Sequence, residues 1–380
     1  MTDKFRLSLL HTPEGVWGHY GTDCREYVTV TQSVRDALHS YGYEDIRTPM
    51  FEFFDVFSRE IGTKPSRELY KFFDKEGNTL VLRPDFTPSI ARCAAKYFMY
   101  NQNPLRFCYE GRAFSNTSSL QGKRRESTQM GAELINDASV QADAEMIALL
   151  IDSLLRVGLT KFQITIGNVE YFRGICEAAG LDEETELSLR EHVSGKNYFA
   201  AEKLLQNRNV APACADRFLQ ITNLASNDVD LEKMRHEAPN EASEAAIERL
   251  IEVYHVLKLY GFERYISFDL SLLSKYRYYT GVLYKGYTYG VGERIAAGGR
   301  YDSLLSQFGK EAPAIGFTLE IDTLIEALRA QGIPIPVSEV PEALYYTDED
   351  GDYEEKLRQV QQMRKEGRQV ILTRAAQDLT

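Results

Sequence analysis

Two β-rich runs, residues 104–114 and 126–135, are separated only by the polar loop from Ser115 to Arg125. Long strands joined this closely need further strands or helices over their apolar face, so they constrain what the chain can fold into more than any other feature. Upstream, Tyr27, Val28, Thr31, Val34 and Leu38 recur at helical spacing, which predicts a helix over 24–42, followed by an extended segment from Tyr43 to Pro49. Residues 69–73 and 79–84 flank Asp74-Lys-Glu-Gly-Asn78 as a hairpin, with Gly77 and Asn78 able to take positive φ. Thr87 to Tyr100 reads as a helix opened by Pro88.

Downstream, residues 140–157 read as an amphipathic helix and 161–166 as a strand. Residues 170–258 are mostly helical in pattern, with loops near Asn207–Pro212 and Asn223–Asp230. Strands resume at 263–272, 280–285 and near 286–291; a turn at Gly298-Gly299 then leads into a helix at 301–308, and another helix covers 317–330. Strands cluster, then helices, then strands again. That order predicts an α+β fold with a largely antiparallel sheet flanked by helices, not a doubly wound sheet. The expected organisation is a core over 1–330 with a helix-rich insertion at about 170–258, a proline-rich connector at 331–342, and a small C-terminal β-α-β unit at 343–380. One such unit is too small to stand alone and is expected to pack on a neighbour.

Composition excludes several classes. No run of eighteen apolar residues is present, and the first residues lack the apolar stretch of a secretory signal, so a cytoplasmic location is expected. The five cysteines, Cys24, Cys93, Cys108, Cys176 and Cys214, are scattered without a CxxC pair and are expected to be buried free thiols. The six histidines are isolated in sequence, so no metal site is expected. A net charge of −12 argues against a large nucleic-acid footprint, and the basic run Gly122-Lys-Arg-Arg125 reads as a short solvated loop. Phosphate-binding glycine loops and the GxSxG nucleophile elbow are missing, and no cofactor is expected.

Several segments in order resemble histidyl-tRNA synthetase, a class II aminoacyl-tRNA synthetase, over about residues 10–325. Tyr41-Gly-Tyr-Glu-Asp-Ile-Arg-Thr-Pro49 resembles motif 1, which builds the family's dimer interface. Leu82-Arg-Pro-Asp-Phe-Thr87 resembles the family's Leu-Arg-Pro-Glu-Gly-Thr. Phe107 to Glu133, ending Gln129-Met-Gly-Ala-Glu133, has the layout of motif 2. Tyr278-Tyr-Thr-Gly281 sits where the histidine-specific Tyr pair lies. Ala297-Gly-Gly-Arg-Tyr-Asp302 and Pro313-Ala-Ile-Gly-Phe317 match the glycine-rich segment and motif 3.

The departures are informative. Adenylation brings a carboxylate to an ATP phosphate, and arginines must neutralise the charge that accumulates. By resemblance, three such arginines are replaced here, by Ser115, Ser274 and Thr323, and the adenine-side Glu becomes Thr117. Lys275 and Arg277 lie near Ser274 but are displaced along the chain, and strand alternation would turn Lys275 to the opposite face. Losing one preorganised contact costs about a hundred- to a thousandfold in rate, so a working synthetase is not expected. The amino-acid pocket is better kept. Asp85, in place of a Glu that holds the α-ammonium, with Thr87, Gln129, Glu133, Tyr278 and Tyr279, matches the pocket positions, although Phe86 stands where the family has Gly. Asp85, Gln129 and Glu133 can accept from an ammonium and an imidazole.

A synthetase-like core without adenylation chemistry, and with only the start of an anticodon-binding domain, is similar to the regulatory subunits of the short-form ATP phosphoribosyltransferase. That resemblance implies a homodimer within a hetero-oligomer containing the short catalytic subunit. It also implies a role in the first step of histidine biosynthesis, histidine as ligand and feedback effector, and no tRNA binding. The alternatives are a diverged ligase that adenylates histidine or lysine, and a synthetase-like scaffold in another complex.

Overall fold

The computed structural model describes residues 10–57, 65–117, 124–208, 210–211, 215, 217–218, 229–274, 278–337 and 340–375. In chain order the first elements are helix α1 (Gly21–Ser40), strands β1 (Glu44–Asp45), β2 (Phe51–Phe53), β3 (Lys71–Phe73) and β4 (Thr79–Leu82), and helix α2 (Thr87–Tyr97). The long pair β5 (Leu105–Phe114) and β6 (Glu126–Ile135) follows, then α3 (Val140–Arg156) and β7 (Phe162–Asn168). Next come helices α4 (Val169–Ala178), α5 (Glu183–Ser194), α6 (Tyr198–Asn207), α7 (Leu231–His236) and α8 (Glu241–Leu259), and strands β8 (Ile266–Phe268), β9 (Val282–Thr288), β10 (Ala296–Arg300) and β11 (Ala314–Glu320). Helix α9 (Ile321–Ala330), β12 (Glu342–Tyr346), α10 (Asp352–Lys365) and β13 (Val370–Arg374) complete the described chain.

Eight strands form one sheet in the order β1-β5-β6-β11-β10-β9-β7-β8. The five inner pairings are antiparallel and the two edge pairings, β1 with β5 and β7 with β8, are parallel. The fold is thus α+β with a largely antiparallel sheet, and β5 pairs with β6 in one unbroken register from Leu105↔Ile135 to Phe114↔Glu126.

Helices cover one face. α1 buries Val30, Thr31, Val34, Ala37 and Leu38 in the first hydrophobic cluster, whereas Val28, expected on that face, is 60 % exposed. α3 is buried along almost its whole length, with Ser139 accepting from Ala142 N–H at 3.1 Å to cap its start. A second cluster lies on the other face, around Phe86, Ile90, Tyr109, Tyr278, Tyr279 and Tyr301. β2, β4 and β3 make a separate antiparallel sheet beside it. The turn between β3 and β4 uses Gly77 at φ 85°, while Asp74 accepts from both N–H groups of Asn78, so the glycine alone carries the positive φ.

Five sequence expectations need correction. The strand expected over 263–272 is confined to Ile266–Phe268, with a 3-10 segment at Glu263–Tyr265 before it. β9 runs unbroken through residues 286–288, and the strand after it is β10, not a segment near 286–291. Gly298 and Gly299 are not a turn but lie within β10. A Cβ on Gly298 would stand 2.6 Å from the Tyr284 ring, and one on Gly299 2.8 Å from the Tyr279 ring. The glycines are needed because aromatic rings cross the strand there. Residues 301–308 form turns and a short 3-10 segment, Leu305–Phe308, instead of a helix. Finally, β11 extends to Glu320, so helix α9 begins at Ile321 and not at 317.

β12 and β13 pair in parallel with α10 packed against them, burying Val360 and Val370. Among the described residues, no helix is long and apolar enough to cross a membrane.

Candidate functional site

The register of β6, β11 and β10 builds the floor of a cavity. Glu133 pairs with Gly316, Gly131 with Thr318, and Gln129 with Glu320. Gly316 in turn faces Gly299, and Thr318 faces Ala297. Small residues at the centre keep the floor low; a Cβ at Gly131 would stand 2.7 Å from the Tyr109 ring. The described lining residues are Pro84, Asp85, Thr87, Gln129, Tyr278, Tyr279, Arg294, Ala297, Tyr301, Gly316, Phe317, Thr318 and Glu320. They enclose about 90 Å3 of water-accessible space.

Five of the six residues singled out from sequence line this cavity: Asp85, Thr87, Gln129, Tyr278 and Tyr279. The sixth, Glu133, lies behind the wall and is 1 % exposed. Thr87 donates to its Oε1 at 2.7 Å and Tyr301 to its Oε2 at 2.5 Å. Asp85 precedes α2, and its Oδ1 accepts from Phe86 N–H at 2.6 Å and Thr87 N–H at 3.4 Å. Tyr278 donates to its Oδ2 at 3.2 Å. The Tyr278 and Tyr279 rings lie 4.7 Å apart and form a wall. Phe86 is turned out of the cavity: its ring stacks on Tyr109 at 4.4 Å, with the Arg83 guanidinium 3.9 Å from its centre.

Arg83 is a buried cation held by carbonyls, donating to Arg112 O at 2.8 Å and Thr48 O at 3.0 Å. Burial lowers its pKa to about 10. Its bonds tie the end of the motif 1 segment to β5.

Burial pushes the Glu133 carboxyl up to about 8, against the hydrogen bonds from Tyr301 and Thr87 that favour its charged form. The folded chain therefore holds this proton more tightly than the unfolded chain does. The stability this supplies is complete below the unfolded value near 4.5 and is lost as pH rises through about 8. Glu133→Gln, which is neutral at every pH, is expected to flatten the fall in stability between pH 5 and 8.5 and to be more stable than the parent at pH 8.5. The gain is on the order of a few kcal/mol, since each tenfold difference in proton affinity between folded and unfolded chain corresponds to about 1.4 kcal/mol. Thermal unfolding followed across that range checks this, and parallel pH profiles would disprove it.

Sequence reading missed Arg294, Tyr301, Thr318 and Glu320 in the lining. Tyr301 and Glu133 are 168 positions apart, and only the register of β6, β11 and β10 joins them. Ser115 and Thr323 lie elsewhere: Ser115 N–H donates to Arg125 O at 2.9 Å, and Thr323 is buried in α9. Lys275 and Arg277 lie outside the described residues, as do Cys214 and Lys123.

Arg124, expected in a solvated loop, is anchored instead. It stands 3.6 Å from Asp322, pairs with Glu326, and lies over the Trp17 ring. Of the four described cysteines, Cys93, Cys108 and Cys176 are buried, but Cys24 is exposed, contrary to expectation. Cys108 joins His39 and Asp45, which lie six positions apart, in one cluster that sequence spacing did not reveal. Burial, then Asp45, pushes the Cys108 thiol up to about 12, and Arg35 stands 4.0 Å from Asp45, so the trio lies on an ion-paired edge.

Comparison with known proteins agrees with this geometry. The family model described as Histidyl-tRNA synthetase matches residues 20–324. An ATP phosphoribosyltransferase regulatory subunit from Acetivibrio thermocellus is 36 % identical over 340 residues, covering 90 % of this chain and 81 % of that protein. The protein of the same name from Ruminiclostridium cellulolyticum is 38 % identical over 323 residues, covering 85 % and 77 %. The crystal structure of an ATP phosphoribosyltransferase regulatory subunit/histidyl-tRNA synthetase from Bacillus halodurans superposes with a TM-score of 0.87 at 30 % identity, covering 98 % of this chain and 94 % of that one. With a fold and a sequence that both match this group, the chain belongs to the ATP phosphoribosyltransferase regulatory subunit family, built on the histidyl-tRNA synthetase fold.

Proposed function

We propose that this chain is the non-catalytic, histidine-sensing subunit of a cytoplasmic ATP phosphoribosyltransferase. It dimerises through the motif 1 segment, binds a short-form catalytic subunit, and transmits histidine feedback on the first step of histidine biosynthesis. The observation that carries the reading is the cavity itself: Asp85, Thr87, Gln129, Tyr278 and Tyr279 converge on one space, while Ser115 and Thr323, at the positions of adenylation arginines, are not among its described lining residues.

The chemistry suits histidine. Asp85 Oδ2 can accept from an α-ammonium, because the backbone N–H groups of Phe86 and Thr87 occupy Oδ1. Gln129 Oε1 is buried without a donor and offers a second acceptor. The tyrosine pair supplies hydroxyls and an apolar wall for an imidazole. Allostery requires histidine to bind two states of the complex unequally, typically by about 1–3 kcal/mol.

The test is reconstitution with a short-form ATP phosphoribosyltransferase, assayed with and without histidine. The complex is expected to form and to be inhibited. Asp85→Asn keeps the acceptor that holds the start of α2 but removes the charge, so it should abolish inhibition with assembly unchanged. Inhibition that survives Asp85→Asn would move the sensor to another surface. Robust histidine-dependent ATP–pyrophosphate exchange by the purified chain would overturn the non-catalytic reading in favour of an adenylating ligase.

A further inference from the structure

Among its described residues the cavity is acidic except at one place. Asp85 stands at one side, Glu320 is at the β11 end of the floor, and Glu133 lies behind the wall. Among the described lining residues, Arg294 is the single cation. It precedes β10, and the backbone fixes it there: Ile295 N–H donates to Gly286 O at 2.9 Å, and Glu320 N–H donates to Ile295 O at 2.9 Å. These two bonds seat Arg294 where the Gln129↔Glu320 rung ends the floor. Gln129 Nε2 donates to both Glu320 oxygens, at 3.2 and 3.4 Å, which holds that carboxylate toward β6.

An amino acid is a zwitterion, so a cavity that takes one needs acceptors for its ammonium and a donor cation for its carboxylate. The acceptors are Asp85 and Gln129 Oε1. A planar guanidinium meets a carboxylate with two parallel N–H bonds, which suits it to the second task. Asp85 and Arg294 line the same cavity of about 90 Å3.

We propose that Arg294 receives the α-carboxylate of the bound amino acid and thereby selects L-histidine over amines that share its imidazole but lack the carboxylate. This rests on the reading of the cavity as a histidine pocket. Arg294 then supplies, from the β9–β10 connection, the carboxylate-facing cation that Ser274 does not.

Titration calorimetry of the full chain with L-histidine and with histamine tests the assignment, using the parent, Arg294→Gln, Arg294→Lys and Asp85→Asn. The parent is expected to bind L-histidine at least about tenfold more tightly than histamine. Arg294→Gln is expected to lose about ten- to a hundredfold for L-histidine while changing histamine by less than about twofold, as for a lost charge-assisted bond. Arg294→Lys should recover part of that loss, because a point charge replaces the fork. If L-histidine binding depends on Asp85 but is indifferent to Arg294→Gln, the assignment fails and the pocket stands. If Arg294→Gln weakens both ligands alike, the residue is structural and the assignment again fails. A parent chain that binds neither ligand overturns the pocket reading and this assignment together.

Discussion

Gly316→Ala is expected to destabilise the chain by more than about 3 kcal/mol and to close the cavity. The strand register forces Gly316 directly opposite Glu133 in the middle of the eight-stranded sheet. A Cβ there would fall inside the Glu133 carboxylate and only 2.8 Å from Ala132 O. Neither neighbour can move cheaply. Ala132 O belongs to a central strand, and the carboxylate is pinned by Thr87 and Tyr301. Interiors are packed too densely to absorb such an overlap without shifting backbone. Denaturant unfolding measures the loss, and a variant within about 1 kcal/mol of the parent would contradict the clash. Combining it with Glu133→Ala is expected to restore part of the stability, because it removes the side chain the methyl strikes.

Asp143→Ala is the second large effect, at about 3–5 kcal/mol. Asp143 in α3 is fully buried and holds two cations from elements distant in sequence. Arg300 Nε of β10 donates to Oδ1 at 2.8 Å, and Arg249 Nε of α8 donates to Oδ2 at 2.8 Å. Arg300 Nη2 adds an ion contact at 2.6 Å without hydrogen-bond alignment, and its Nη1 reaches Asp137 O at 3.1 Å. Removing the carboxylate leaves Arg300, only 5 % exposed, without its principal counter-charge, and breaking one side of a buried pair costs far more than the pair's net worth. Arg249→Ala should cost much less, about 1 kcal/mol, because that side chain is 26 % exposed and part of its interaction is screened. Equilibrium unfolding of the two variants checks the ranking. Equal costs would show that the network does not depend on the buried member.

Much of the architecture was written in local pattern. The two long runs became β5 and β6 within a residue of expectation, and the hairpin around Gly77 and the helices after Thr87 and Val140 followed. The C-terminal β-α-β pattern also formed as read. Each of these is decided within one element, where side-chain periodicity, a cap or a turn glycine is visible in a short window. The glycine pair at 298–299 misled because glycine signals a turn when read alone. Its actual cause, the Tyr279 and Tyr284 rings crossing β10, comes from elsewhere in the fold. The segment 317–320 misled in the same way, since a short apolar run does not distinguish a central strand from the start of a helix.

By itself the sequence determined the α+β class and the long strand pair, and it singled out Asp85, Thr87, Gln129, Tyr278 and Tyr279, which the fold gathers around one cavity. Only the tertiary structure decided that Glu133 stands behind the cavity wall, bonded to Tyr301, that Phe86 turns outward onto Tyr109, and that Arg294 joins the described lining. The reason is that local pattern reports which face of an element is apolar. Which side chains meet across a site depends on the register and approach of strands far apart in the chain.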